Sequence, residues 1–214
     1  MSSNSGDRPA EPNRAEVAPP KRRPAVFLDR DGTVNEDVGY LHKHEDFVFI
    51  KGVPEALARL KKAGLALVVT TNQSGVARGI YSSRDVIELH RLIDEDLKKM
   101  ADLTMDGWYF CPHLPDEGCR CRKPSPGLII QASLDLGLDV SSSYMVGDKS
   151  LDVLAGQAAG AKKSILVKTG YGLAEQDNVP RGTIVADDLP SAASLILADF
   201  LKAGPTAAPE KDRF

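Results

Sequence analysis

The stretch Ala25-Val26-Phe27-Leu28-Asp29-Arg30-Asp31-Gly32-Thr33 decides how the rest of the chain is read. Its first four residues form a short apolar run closed by turn-forming residues, which predicts a buried strand. Two carboxylates two residues apart follow it, and Gly32 permits a tight backbone turn, so Asp29 and Asp31 can face one site. A carboxylate can attack phosphorus to give an aspartyl-phosphate. A second carboxylate can protonate the departing oxygen and then activate water, and both offer hard oxygen ligands to magnesium. An isolated Asp-x-Asp-Gly is often only a turn, but its place directly after an opening strand gives it chemical weight.

Outward from this stretch, apolar runs alternate with helical patterns. Further strands are predicted at 65–70, 107–110, 144–146, 164–167 and 183–185. Helices are predicted at 53–63, between Pro54 near its start and Gly64 past its end; at 84–100, a charged surface helix capped by Ser82 or Ser83; at 127–136, ending at Gly137; at 151–159; and from Pro190 onward. This alternation predicts an α/β fold, a Rossmann-like parallel sheet with helices on both faces. In such sheets ligands bind beyond the carboxyl ends of the strands.

With 214 residues, no internal repeat, 42% hydrophobic and 27% charged residues, the chain suits one globular domain. Residues 1–23, rich in Ser, Pro, Asn, Glu and Arg, are expected to be a disordered tail, residues 24–203 the folded domain, and 204–214 a second flexible tail. A net charge of -3 argues against nucleic-acid or anionic-membrane binding. No apolar run is long enough to span a bilayer and no signal peptide is evident, so a cytoplasmic protein is expected; the sequence leaves the oligomeric state open, and a monomer is the default expectation.

The later strand ends carry candidate chemistry too. Thr70-Thr71-Asn72-Gln73-Ser74-Gly75 offers hydroxyls and backbone N–H groups that can bind a phosphoryl oxygen without adding charge. Arg122-Lys123-Pro124 offers cations ahead of a helix, and Val146-Gly147-Asp148-Lys149 an acid and a base after the fourth strand. Asp152 falls one helical turn past Asp148, where an acid either favours the helix N-terminus or supports the site. All three cysteines lie in one loop, as Cys111-Pro112-His113 and Cys119-Arg120-Cys121. Three thiolates and one imidazole match a closed, structural tetrahedral zinc site, and Cys119 and Cys121 are too near in sequence for an easy disulfide. His42, His44 and His90 have no such grouping, and His90 is expected on a helix surface.

In order, Asp29-Arg30-Asp31-Gly32-Thr33, Thr71-Asn72, Lys123 and Asp148 resemble the four motifs of the haloacid dehalogenase (HAD) superfamily of phosphatases, over about residues 25–172. The resemblance implies Asp29 as nucleophile, Asp31 as general acid and base, and Thr71 and Lys123 as stabilisers of the phosphoryl group, with Thr70 the weaker choice beside Thr71. It implies magnesium held by Asp29, the Asp31 carbonyl and Asp148. Within the superfamily the zinc loop, Thr71-Asn72-Gln73-Ser74-Gly75 and Gly147-Asp148-Lys149 resemble the heptose 1,7-bisphosphate 7-phosphatase subgroup, with histidinol phosphatases as nearest relatives. That subgroup acts in nucleotide-activated heptose synthesis for lipopolysaccharide core or S-layer. Asp37-Val38-Gly39-Tyr40 resembles its substrate loop. Asn72, Gln73, Ser74, Arg122 and Lys149 are further substrate-binding candidates, with Lys123 and Thr71. Insertions between motifs are short, so no large cap domain is expected. Loops at 35–51 and 75–83 and the zinc loop would wall a partly open site. The alternative within the subgroup is a histidinol-phosphate phosphatase of histidine synthesis. From other classes a phosphotransferase or nucleic-acid 3′-phosphatase and a noncatalytic zinc-stabilised module remain; the 3′-phosphatase would need a basic groove, of which the net charge gives no sign, and the module would usually have lost a motif acid, whereas Asp29, Asp31 and Asp148 are all present.

Overall fold

The computed structural model describes residues 22–202. Six strands, β1 (Ala25–Leu28), β2 (Ala66–Asn72), β3 (Gly107–Cys111), β4 (Tyr144–Gly147), β5 (Lys163–Val167) and β6 (Ile184–Ala186), form one parallel sheet in the order β3-β2-β1-β4-β5-β6. The helices are α1 (Val53–Lys62), α2 (Ser83–Ala101), α3 (Gly127–Leu136), α4 (Ser150–Ala159), α5 (Gly172–Glu175) and α6 (Leu189–Lys202).

Side-chain alternation along the strands builds two cores. Val26 and Leu28 of β1 and Leu67 and Val69 of β2 face α1, α2 and α6, meeting Leu57, Leu60, Leu89, Ile93, Leu97 and Ile196. Ala25, Phe27, Ala66 and Val68 face the other way, against Ile129, Ala132 and Ala155 of α3 and α4. A strand buried on both faces must read as an unbroken apolar run, which is why Ala25–Leu28 could be recognised. The strand order reverses at β1, whose neighbours are β2 and β4. The crevice between the carboxyl ends of β1 and β4 is therefore where a ligand is expected, and Asp29 and Asp148 stand there. Among the described residues no large cap interrupts the sheet's carboxyl edge.

Most elements begin or end within two residues of expectation. β2 runs on to Asn72 because Asn72 pairs with Cys111 of β3, a partner invisible to local pattern. Ser82 caps α2, and its hydroxyl and the Asp85 carboxylate exchange hydrogen bonds with each other's backbone N–H. The short α5 and the 3-10 turns His44–Asp46 and Val140–Ser142 had no expected counterpart. Helix α2 is charged on one face only; Val86, Leu89, His90, Ile93 and Leu97 are buried. Expected disorder at residues 1–21, and the tail residues 204–214, fall outside the described residues. Arg23, assigned to the tail, is tied to the fold: its carbonyl accepts from Asp139 N–H and its guanidinium reaches Asp106 at 2.7 Å.

Leu57 is fully buried beneath α1. Leu57→Ala should cost about 2–5 kcal/mol, read in urea unfolding as a lower midpoint at unchanged slope.

Candidate active site

Asp29 follows β1 directly, its backbone N–H donating to the carbonyl of Val146 on β4, so that its carboxylate lies on the floor of a cleft of about 320 Å³. Lys123 arrives from the opposite side. Its side chain is only 3% exposed, and its Nζ donates to Asp29 Oδ1 at 2.7 Å, Asp152 Oδ1 at 2.5 Å and the Thr70 carbonyl at 2.7 Å. All three ammonium donors are used. Burial alone would lower the pKa of Lys123, but Asp152 and Asp29 outweigh it and hold it above the ordinary lysine value. Asn72 secures this lysine from behind, its amide donating to the Lys123 carbonyl and accepting from the Lys123 N–H.

Asp148 lies close to Asp29. Its Oδ2 accepts from the N–H of Tyr171, whereas its Oδ1 is buried and has no hydrogen-bond partner among the described residues. Burial and the charge of Asp29 push its pKa well up. Gly32 and Gly170 crowd this carboxylate: a Cβ on either would come within 2.3 Å of Asp148 Oδ2. Ligand oxygens of Asp29, Asp148 and Asp152 lie within 4.8 Å of one another. Three buried acids, one with an unused oxygen, are a donor set that suits a hard divalent cation. Asp152 accepts from the Lys149 N–H at the start of α4 as well as from Lys123, so it meets both the helix end and the buried lysine. Its spacing of one turn from Asp148 was the available signal.

Asp31 turns aside from this group. Its oxygens accept from Arg30 Nε (3.0 Å) and Nη2 (2.8 Å), Asn35 Nδ2 (3.0 Å) and Gln73 Nε2 (3.0 Å). Burial raises its pKa, but the Arg30 guanidinium and these hydrogen bonds prevail and leave it below the usual carboxylate value. Its carboxylate is thus held by these donors, and what Asp31 can offer a cation is its carbonyl, the atom that the resemblance implies.

Thr71, Asn72, Gln73, Ser74, Asp37, Gly39, Tyr40 and Lys149 line the cleft together with Asp29, Asp31 and Lys123. Gln73, expected on substrate, is 2% exposed and donates to Asp31 and Thr71 while accepting from Tyr81. Thr70 faces away, only its carbonyl serving the site. Val38 is 55% exposed and does not line the cleft. Arg122 lies outside it too: its Nη1 donates to the His113 carbonyl and the side chain lines an adjoining hollow that shares Lys123 and Leu151. Lys149 stands 3.5 Å from Asp37 and over the Tyr171 ring.

Behind Lys123 the sulfurs of Cys111, Cys119 and Cys121 lie 3.1–3.6 Å apart, and His113 Nδ1 is 3.2 Å from Cys121 and 3.5 Å from Cys111. These separations exclude disulfides, whose bond is about 2.05 Å. They approach the roughly 3.8 Å edges of a tetrahedron with about 2.3 Å metal–sulfur bonds.

Arg30 and His90 escaped the sequence reading. Arg30 is fully buried, and its Nη1 stands 3.3 Å from Nε2 of His90. His90, expected on the surface, is 3% exposed and stacks on Trp108 at 4.3 Å. The periodic row Val86, Leu89, Ile93, Leu97 marked the inner face of α2, and His90 shares it.

A strand-end nucleophile candidate, a buried lysine and a three-acid floor on a parallel sheet define a HAD-like phosphoric monoester hydrolase. The HAD-hydrolase-like family model matches residues 120–192. The chain is 48% identical over 154 residues to the D-glycero-beta-D-manno-heptose-1,7-bisphosphate 7-phosphatase of Yersinia pestis, covering 69% of this chain and 81% of that protein. It is 44% identical over 174 residues to the enzyme of the same name from Vibrio cholerae, covering 78% and 92%. A solved D,D-heptose 1,7-bisphosphate phosphatase from B. bronchiseptica, complexed with magnesium and phosphate, superposes with TM-score 0.76 at 34% identity over 82% of this chain and 99% of that one. The chain belongs to the D-glycero-beta-D-manno-heptose-1,7-bisphosphate 7-phosphatase family.

Burial, and then the charge of Arg30, lower the pKa of His90 from 6.5 to about 3. Below pH 6.5 the unfolded chain takes up a proton that the folded one refuses, so this contribution to stability declines as pH falls from 6.5 toward 3. The slope is about 1.4 kcal/mol per pH unit. His90→Phe should flatten that part of the stability profile, measured by urea unfolding at successive pH values.

Proposed function

We propose that this chain removes the C7 phosphate of D-glycero-β-D-manno-heptose 1,7-bisphosphate through an aspartyl-phosphate on Asp29, in nucleotide-activated heptose synthesis. Membership of the family supports this substrate over histidinol phosphate, and the β anomer is the one for which the Yersinia pestis and Vibrio cholerae relatives are named. The observation that carries the chemistry is Asp29 on the cleft floor, its Oδ1 at 2.7 Å from the buried Lys123 ammonium.

In the first step an Asp29 oxygen attacks phosphorus, the bond to the sugar oxygen breaks, and Asp31 gives that oxygen its proton. In the second, water attacks the phosphoryl group, Asp31 takes the water proton, and the bond to Asp29 breaks. Thr71 and Lys123 stabilise the phosphoryl oxygens in both steps. Before the first step Asp31 must carry a proton and give up one of its four donors, since a protonated carboxyl oxygen no longer accepts there. Asp37, Gly39, Tyr40, Ser74 and Lys149 contact the rest of the sugar bisphosphate at the rim. Asp29, the Asp31 carbonyl and Asp148 would hold magnesium; when bound it supplies positive charge that offsets the phosphoryl oxygens, and the partnerless Asp148 Oδ1 supports that fit. Cys111, His113, Cys119 and Cys121 would hold zinc in a structural role, leaving no open position. We read the protein as a cytoplasmic monomer; no described helix is long and apolar enough to cross a membrane.

Magnesium-dependent phosphate release, compared for both anomers of heptose 1,7-bisphosphate and for histidinol phosphate, should favour the β-heptose; equal rates on histidinol phosphate would remove the substrate assignment. Asp29→Asn should abolish turnover and acid-stable labelling by substrate phosphate, and near-wild-type turnover would refute the nucleophile. Cys111→Ala should lose bound zinc, read by elemental analysis; full zinc occupancy would sink the four-ligand site.

A further inference from the structure

Asp31 owes its orientation to a buried side chain that does not touch the cleft. Its flattest restraint is the two-pronged pair with Arg30, a geometry that fixes direction as well as distance. Arg30 in turn is completely buried and must place its donors. Nε and Nη2 serve Asp31, Nη2 also serves the Leu41 carbonyl, and Nη1 faces His90 Nε2 at 3.3 Å. A guanidinium only donates, so the His90 nitrogen that meets it must carry the lone pair, with the ring proton on Nδ1. The ring is held flat against Trp108 of β3 and edge-on to Phe110. Burial keeps it neutral, as its low pKa also indicates.

We propose that His90 is a positioning residue for the reaction: as a neutral acceptor it holds the inner edge of Arg30, and Arg30 aims the Asp31 carboxylate at the departing sugar oxygen. The inference rests on reading Asp31 as the general acid. Without the acceptor, Arg30 Nη1 faces aromatic surface and the guanidinium shifts toward other partners, carrying Asp31 with it. A displacement of about 1 Å at an acid–base group can cost on the order of 100-fold in rate.

Two variants separate the acceptor from the ring. His90→Phe keeps an aromatic ring against Trp108 and removes the acceptor; His90→Gln keeps an acceptor and removes the ring. Each is compared with wild type and Asp31→Asn by kcat/KM on heptose 1,7-bisphosphate, whose sugar oxygen must be protonated as it leaves, and on p-nitrophenyl phosphate, whose phenolate leaves unaided. The kcat/KM value reports the step in which the leaving group departs. Asp31→Asn should depress the sugar substrate far more than the aryl one. His90→Phe should show the same selectivity, roughly tenfold or more on the sugar phosphate and little on the aryl phosphate, while His90→Gln stays near wild type on both. Equal loss on both substrates in His90→Phe, no loss on either, or a His90→Gln defect as selective as that of His90→Phe would overturn the proposal. Absence of selectivity in Asp31→Asn would overturn the general-acid reading, and this proposal with it. Should His90→Phe not fold, His90→Gln decides: a lowered Tm with the wild-type substrate ratio supports the acceptor, and a lost ratio overturns it.

Discussion

One ammonium group organises the centre of this protein. Lys123 Nζ is enclosed by Asp29, Asp152 and the Thr70 carbonyl, and taking such charges out of water is recovered only when every donor is matched. Matching them requires four separate pieces of chain: the ends of β1 and β2, the start of α4, and the cysteine loop that delivers Lys123. Asn72 grips the lysine's backbone, so its position is set from both ends. Asp29, Asp148 and Asp152 nonetheless cluster here, with Lys123 paired to the first and last and Lys149 standing 4.0 Å from Asp148. Three clustered carboxyl groups, among them an Asp148 whose pKa is pushed up by burial and by Asp29, make this floor a place for a cation and a phosphoryl group rather than an ordinary buried ion pair.

Much of the fold was legible because its determinants are local. Apolar runs of the right length announced β1, β4 and β5, and Gly137 marked the end of α3. Where boundaries slipped, a partner distant in sequence decided them, as Cys111 did for the end of β2. The short α5 carries too few residues to show a period. Motif order brought Asp29, Lys123, Thr71 and Asp148 into view, and cysteine clustering the second metal-ligand group.

What stayed hidden at the site depends on tertiary contact. Gln73 looked like a free polar group at a strand end, but Tyr81 and Asp31 hold its amide. Arg30 sits inside the opening motif, yet nothing in that motif says that its side chain runs inward under Leu41 to a helix sixty residues later. His90 was misread because a polar residue in a charge-rich helix suggests solvent; its alignment with Leu89 and Ile93 was the better guide. Arg122, adjacent to Lys123 in sequence, lines a neighbouring hollow and donates to the His113 carbonyl.

The crowding of Asp148 by Gly32 and Gly170 divides the molecule into parts with different freedom to evolve. Side chains at those two positions would collide with the acid, so drift there is closed off along with the chemistry it protects. The side chains of Val38, Tyr40 and Tyr171, by contrast, are largely exposed. Substitution of these exposed side chains meets fewer collisions than substitution beside Asp148, so the outer surface is where variants of this scaffold have room to change.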